Sequence, residues 1–124
     1  MVRFGPRIVD SLRSAKILRI RAGRGSTHRF IGVWLVVVEG RVFVRSWTLK
    51  PAGWYRTFLE DPRGTIQVGD REIRVRAVRT RSERLKDAVT KAYREKYNTP
   101  GSLQYVRGFA RPPRRDATIE LVPA

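Results

Sequence analysis

The sequence predicts an α+β fold built around a small antiparallel β-barrel, with short helices and one long helix in the C-terminal half. Three observations carry this expectation. Two pairs of β-patterned segments are joined by short turns at Glu39-Gly40 and Gly69-Asp70, which makes them hairpins. A further strand pattern stands toward each end of the chain. No crossover helices of the βαβ kind separate the strands, which argues against a doubly wound parallel sheet. Closing such a sheet into a barrel would also protect its apolar strand edges.

Taken in order, Pro6 to Arg13 sets Ile8, Val9 and Leu12 at helical spacing behind a proline suited to a first turn, so a short helix is expected. Leu18, Ile20 and Ala22 alternate with Arg19 and Arg21, the period of a strand with one wet face. Gly23, Gly25 and Ser26 then form a loop. The run Phe30 to Val38 is largely β-branched and aromatic, and it predicts a central strand with both faces covered. Arg41 to Trp47 returns as its hairpin partner.

After Pro51-Ala52-Gly53, Trp54, Tyr55, Phe58 and Leu59 recur at helical intervals until Asp61-Pro62-Arg63-Gly64 stops them. A second hairpin spans Thr65 to Val68 and Glu72 to Val78, with Ile73, Val75 and Ala77 facing away from Arg74 and Arg76. Thr80-Arg81-Ser82-Glu83 has the form of a capping box opening the long helix. Leu85, Ala88, Val89, Ala92, Tyr93 and Lys96 share one face of that helix, which ends near Asn98-Thr99-Pro100-Gly101. A loop with Pro112-Pro113-Arg114-Arg115 leads to a last strand over Ala117 to Val122.

The 124 residues, 41% of them hydrophobic, suit a single domain over residues 1–124 with a modest core. The chain has no cysteine, which excludes disulfides, thiolate nucleophiles and cysteine-ligated metals. Met1 to Ser14 holds three arginines and lacks the apolar run of a signal peptide, and Phe30 to Val38 is about half the length of a membrane-spanning helix. A soluble cytoplasmic protein is expected. The net charge of +16 points to an anionic partner, such as a phosphate, a nucleic acid or an acidic surface.

His28 is the only histidine, so a metal site with two imidazoles is impossible, and no metal is expected. No nucleophile elbow, Walker loop or Rossmann glycine pattern is present. The carboxylate pairs Glu60-Asp61, Asp70-Glu72 and Glu83-Asp87 fall at a helix end, a turn and a helix start, which are structural places for acids. No catalytic residue can be assigned.

What remains is a basic glycine-containing loop, Arg24-Gly25-Ser26-Thr27-His28-Arg29, with Arg45-Ser46 on a later strand and Trp47 and Trp54 near them in sequence. Guanidinium groups, hydroxyls and loop amides together can hold a phosphate, and tryptophan faces can cover a planar ring. The same residues also read as core aromatics and a solvated arginine rim.

Gly32-Val33-Trp34, Val44-Arg45-Ser46-Trp47, Gly53-Trp54-Tyr55-Arg56, Lys91-Ala92-Tyr93-Arg94-Glu95-Lys96-Tyr97 and the closing Ala117-Thr118-Ile119-Glu120-Leu121-Val122-Pro123 occur in an order that resembles a bacterial family, the domain of unknown function numbered 2255. More remotely, the order of strand, basic loop, strand, hairpin strand and Trp-bearing helix resembles the split β-barrels of flavin and deazaflavin oxidoreductases. That resemblance implies a homodimer that binds FMN or a deazaflavin and transfers hydride to a small acceptor. It implies cofactor-binding residues in the loop that contains Arg24, with phosphate contacts from Thr27, His28, Arg29, Arg45 and Ser46 and with Trp47 and Trp54 near the ring.

Two other readings stand beside it. One is a nucleic-acid-binding barrel, motivated by Arg74, Arg76, Arg79, Arg81 and Arg84. The other is a barrel that acts only as a non-catalytic interaction module.

Overall fold

In the computed structural model, which describes residues 3–23 and 29–124, proline-initiated helix α1 (Pro6–Ser14) buries Val9 and Leu12. Strand β1 (Leu18–Ala22) alternates as its sequence dictates, with Leu18, Ile20 and Ala22 inward and Arg19 exposed. Next come β2 (Ile31–Val33), β3 (Leu35–Val38) and β4 (Arg41–Arg45). Helix α2 (Trp54–Glu60) buries Trp54, Tyr55 and Phe58, and β5 (Arg63–Val68) and β6 (Arg71–Arg79) form the second hairpin. Helices α3 (Glu83–Lys96) and α4 (Leu103–Phe109) precede the last strand, β7 (Thr118–Pro123).

The strands pair antiparallel in the order β2-β1-β5-β6-β7-β4-β3. Its two outermost members, β2 and β3, are separated in the chain by Trp34 alone, so the sheet curls into a nearly closed barrel. The interior is filled by side chains such as Ile20, Val42, Val44, Ile66, Val75, Ile119 and Leu121. A second cluster lies outside the barrel wall, where Val36 and Phe43 meet Leu85, Val89, Tyr93 and Tyr97 of the α3 segment and Val106 and Phe109 of α4. Strand β4 is therefore buried on both faces, Val42 and Val44 toward one cluster and Phe43 toward the other.

Three expectations are corrected. The run from Phe30 to Val38 is not one central strand: it breaks at Trp34, and its halves pair with β1 and β4 at opposite ends of the sheet order. The capping residue of α3 is Ser82, whose Oγ accepts from the Leu85 amide at 3.2 Å. Thr80 is still held by the sheet, its amide donating to the Thr118 carbonyl at 2.9 Å, so it cannot reach the helix start. Finally, the segment read as a loop after Gly101 contains α4, which carries Val106 and Phe109 into the outer cluster. Two turns interrupted by Gly108 have weak intrinsic helicity, and packing supplies what propensity lacks.

Candidate functional site

The barrel splits where the β3–β4 ladder stops. Leu35 pairs with Val44, and the same register would next set Trp34 opposite Arg45 and Val33 opposite Ser46. Instead, the Tyr93 hydroxyl stands between them, accepting from the Arg45 amide at 3.1 Å and donating to the Trp34 carbonyl at 3.0 Å. One turn later the Tyr97 hydroxyl accepts from the Leu35 amide at 3.1 Å and donates to the Lys16 carbonyl at 2.7 Å. The Trp34 ring stacks on Tyr97 with centroids 4.2 Å apart. Tyr93 thus holds the Trp34 and Arg45 backbones apart while Tyr97 ties β3 to the segment before β1, and burial pushes both phenol pKa values up, Tyr97 to about 12. Both hydroxyls stay protonated over the physiological range.

The opening is a cleft of about 460 Å³, a size typical of small-molecule sites. Ile31, Gly32, Val33 and Trp34 form one side, Arg45, Ser46, Trp47 and Thr48 the other, with Trp54, Tyr105 and Phe109 completing it. Trp47 and Phe109 meet edge to face at 5.6 Å, and Trp47 and Tyr105 at 5.2 Å. Trp47 reaches this position because α4 has a glycine beneath it: a Cβ on Gly108 would lie 2.5 Å from the indole. On the outer side Arg114 stacks over the same indole at 3.8 Å and donates from Nε to the Trp47 carbonyl at 2.7 Å. Ile31, Trp47 and Tyr105 stay more than a third exposed, an apolar rim around the cleft.

Arg29 lines a smaller recess of about 130 Å³ with Ala52 and Thr57, and Ile31 and Trp54 are shared between the two spaces. Arg45 differs from what the sequence suggested. It is 1% exposed, and Nε donates to Thr118 Oγ1 at 2.8 Å, Nη1 to Thr90 Oγ1 at 2.7 Å and the Phe109 carbonyl at 3.0 Å, and Nη2 to the Lys86 carbonyl at 2.8 Å. Burial lowers its pKa to about 10, which leaves a cation at neutral pH. With four donors turned into the α3–α4 layer, Arg45 fixes the wall of the cleft, and its guanidinium does not join Arg29 around one anion.

Ser46 is likewise buried, its hydroxyl donating to the Thr48 carbonyl. Trp47 and Trp54 do border the cleft. Arg24, Thr27 and His28 lie outside the described residues. Sequence reasoning missed Trp34, Tyr93, Tyr105 and Phe109 as site-forming residues. The last two were hidden because α4 read as a loop, although their i, i+4 spacing was visible. Among the described residues no helix is long and apolar enough to cross a membrane, and no cluster of acids or histidine suits a metal ion.

A comparison with curated proteins finds no significant match. Solved structures of similar fold include a presumed pyridoxamine 5'-phosphate oxidase from Listeria innocua, with 13% identity and a TM-score of 0.65 over 94% of this chain and 90% of that one. HutZ, the heme storage protein from Vibrio cholerae, gives 14% identity and a TM-score of 0.65, covering 98% and 91% of the two chains. A FAD-binding protein from Mesorhizobium loti gives 9% and 0.58, covering 98% and 88%. At these identities the likeness establishes the split-barrel fold alone. Residues 9–121 match a family of uncharacterised proteins conserved in bacteria, and the chain belongs to that family, DUF2255.

Proposed function

We propose that this chain binds a flavin-type cofactor, FMN or a deazaflavin, in the split of the barrel. The observation that supports this best is the cleft itself. It is lined by aromatic and apolar side chains and flanked by β2 and by residues 46–48, the segment after β4, which do not pair with each other. A flat heterocycle with donors and acceptors along its edge suits such a place, because its faces meet apolar surface while its edge can meet backbone polar groups. The structural neighbours named for pyridoxamine 5'-phosphate oxidase and for FAD binding make the reading a natural one for this fold.

In this reading Trp47 and Trp54 lie against the ring, and Arg29 faces the phosphate from the adjoining recess, together with the loop residues Arg24, Thr27 and His28. Ser46 and Arg45 act behind the wall, holding the 45–48 segment in place. Ile31, Trp47 and Tyr105 form the rim that a second copy would cover in a homodimer, excluding water from the ring. The bound cofactor would supply hydride chemistry toward a small acceptor, which removes the need for an acid/base pair in the protein.

Titration with FMN and with riboflavin, followed by tryptophan quenching and flavin absorbance, tests the site. Trp47→Ala should weaken both ligands by about tenfold, the scale of one lost stacking contact. Arg29→Ala should weaken FMN while leaving riboflavin unchanged. Absence of binding by either ligand, or equal affinity of the Trp47→Ala variant, sinks the proposal.

A further inference from the structure

A different surface carries a second, independent proposal. On β1, β5 and β6 the inward residues are Leu18, Ile20, Ala22, Gly64, Ile66, Val75 and Ala77, so Arg19, Arg21, Arg63, Arg74 and Arg76 stand on the outer face. The register joins them across strands: Arg21 lies opposite Thr65, which lies opposite Arg74, and Arg63 lies opposite Arg76. Arg21 pairs with Glu72 at 3.5 Å and Arg63 with Asp61 at 3.0 Å. Among the described residues Arg19, Arg74 and Arg76 form no ion pair, and all three are exposed. Arg79, the last residue of β6, and Arg81 just past it are exposed as well. Arg84 is separately engaged with Glu39 at 2.6 Å.

We infer that this face docks the phosphate backbone of a nucleic acid. Like charges set directly opposite on a sheet cost stability, as Arg63 and Arg76 are, and an array of phosphates relieves that repulsion. The fork of an arginine matches a phosphate group with two parallel donors. A membrane surface fits less well, because interfacial binding needs a broad apolar face, and among the described residues this one offers Val78 and, at its edge, Ile17 as exposed large hydrophobics. The aromatic ring that meets this face, Phe30, is half-buried beneath the Arg21 guanidinium at 4.5 Å, which favours backbone docking over base stacking.

The test measures binding of the full chain to a short mixed-sequence DNA duplex across a salt series. Each arginine that contacts a phosphate should contribute roughly 0.9 to the slope of log affinity against log salt. The R19Q/R74Q/R76Q variant should therefore show a slope flatter by about 2.7, whereas R7Q/R94Q/R107Q, with the same loss of charge on exposed residues elsewhere, should keep the parent slope. Equal flattening in the two variants would reduce the effect to net charge and overturn the proposal. So would binding to phosphatidylserine vesicles without binding to the duplex, or no binding to either. FMN titration of the same variants is expected to be unchanged, which keeps this proposal separable from the cofactor reading.

Discussion

The two walls of this barrel use arginine in opposite ways. Where β3, β4 and β7 lie beneath α3 and α4, cations are matched. Arg45 makes four side-chain hydrogen bonds, Arg41 holds Glu120 through two bonds of 3.0 and 2.7 Å, and Arg115 bridges Glu83 and Asp87. On the bare wall of β1, β5 and β6, Arg19, Arg74 and Arg76 form no ion pair among the described residues. The difference follows from desolvation. A guanidinium withdrawn from water must find acceptors or the fold is lost, whereas one left in water needs none. Cations on the covered wall therefore hold the structure together, and Arg19, Arg74 and Arg76 on the bare wall are left to meet something else.

The sharpest way to break that contrast is to remove Arg45. In Arg45→Met the hydroxyls of Thr118 and Thr90 and the carbonyls of Lys86 and Phe109 lose their partner together. A loss on the order of 3 to 5 kcal/mol is expected from a buried network of this kind. Arg45→Lys should recover little of it, since one ammonium cannot reproduce a planar fork reaching four acceptors. Urea unfolding measures both. A loss below about 1 kcal/mol in Arg45→Met, the level of an ordinary surface substitution, would mean the covered wall does not depend on its buried cation.

Tyr93→Phe probes the wedge without removing the ring. It deletes the hydroxyl that separates the Arg45 amide from the Trp34 carbonyl, leaving two buried backbone groups unpaired unless the strands close on each other. A cost of about 1 to 3 kcal/mol is expected if the split stays open, and a smaller one if the ladder zips up. The two cases part in FMN titration, because zipping would narrow the cleft and abolish binding. Tight FMN binding together with unchanged stability would show that the hydroxyl does not hold the split open.

How much of this was legible in the sequence depends on what each residue's position requires. Period-two alternation in β1 and β6 and the turns at Gly40 and Gly69 stated their own structure, because local pattern and final environment agree there. Both turn glycines carry positive φ, 72° and 62°. The break at Trp34 was not legible. A run of apolar β-formers has the same pattern whether it stays straight or bends, and the wedge comes from Tyr93, 59 residues further along. Arg45 misled for a related reason. An arginine beside a serine and a tryptophan reads as a phosphate contact, and only α3 and α4 packing over β4 turns its guanidinium inward. The cleft's aromatic identity was half visible, in Trp47 and Trp54, while Trp34, Tyr105 and Phe109 enter through tertiary contacts.

The covered wall also has a cation without a carboxylate, and pH reveals it. Lys96 donates to the Leu35 carbonyl at 3.1 Å and the Leu12 carbonyl at 3.4 Å, and burial, with Lys16 nearby, lowers its pKa from 10.5 to about 8. Between those values the unfolded chain binds more protons than the folded one, so this contribution to stability rises with pH through the window and is lost as pH falls toward 8. Measured against Lys96→Met from pH 8 to 10, the parent should gain in urea midpoint as the pH rises. A constant difference would mean Lys96 holds its proton equally in both states. Above pH 10 the raised phenols of Tyr93 and Tyr97 act in the opposite sense and are common to both proteins.

The smallest effect comes from the bare wall and has the opposite sign. Arg76 faces Arg63 across the β5–β6 ladder, and with no ion pair of its own among the described residues it adds repulsion that Asp61 offsets only in part, through its pair with Arg63. Arg76→Gln keeps a long polar side chain on an exposed strand position while removing that repulsion. A gain of a few tenths of a kcal/mol is expected at low salt, on the scale of cross-strand pair energies, and it should fade as salt screens the charges. Thermal unfolding at two ionic strengths reads both the sign and its decay. If Arg76→Gln is instead destabilising and insensitive to salt, the guanidinium is making contacts within the fold, and the bare wall is not a surface held open for a partner.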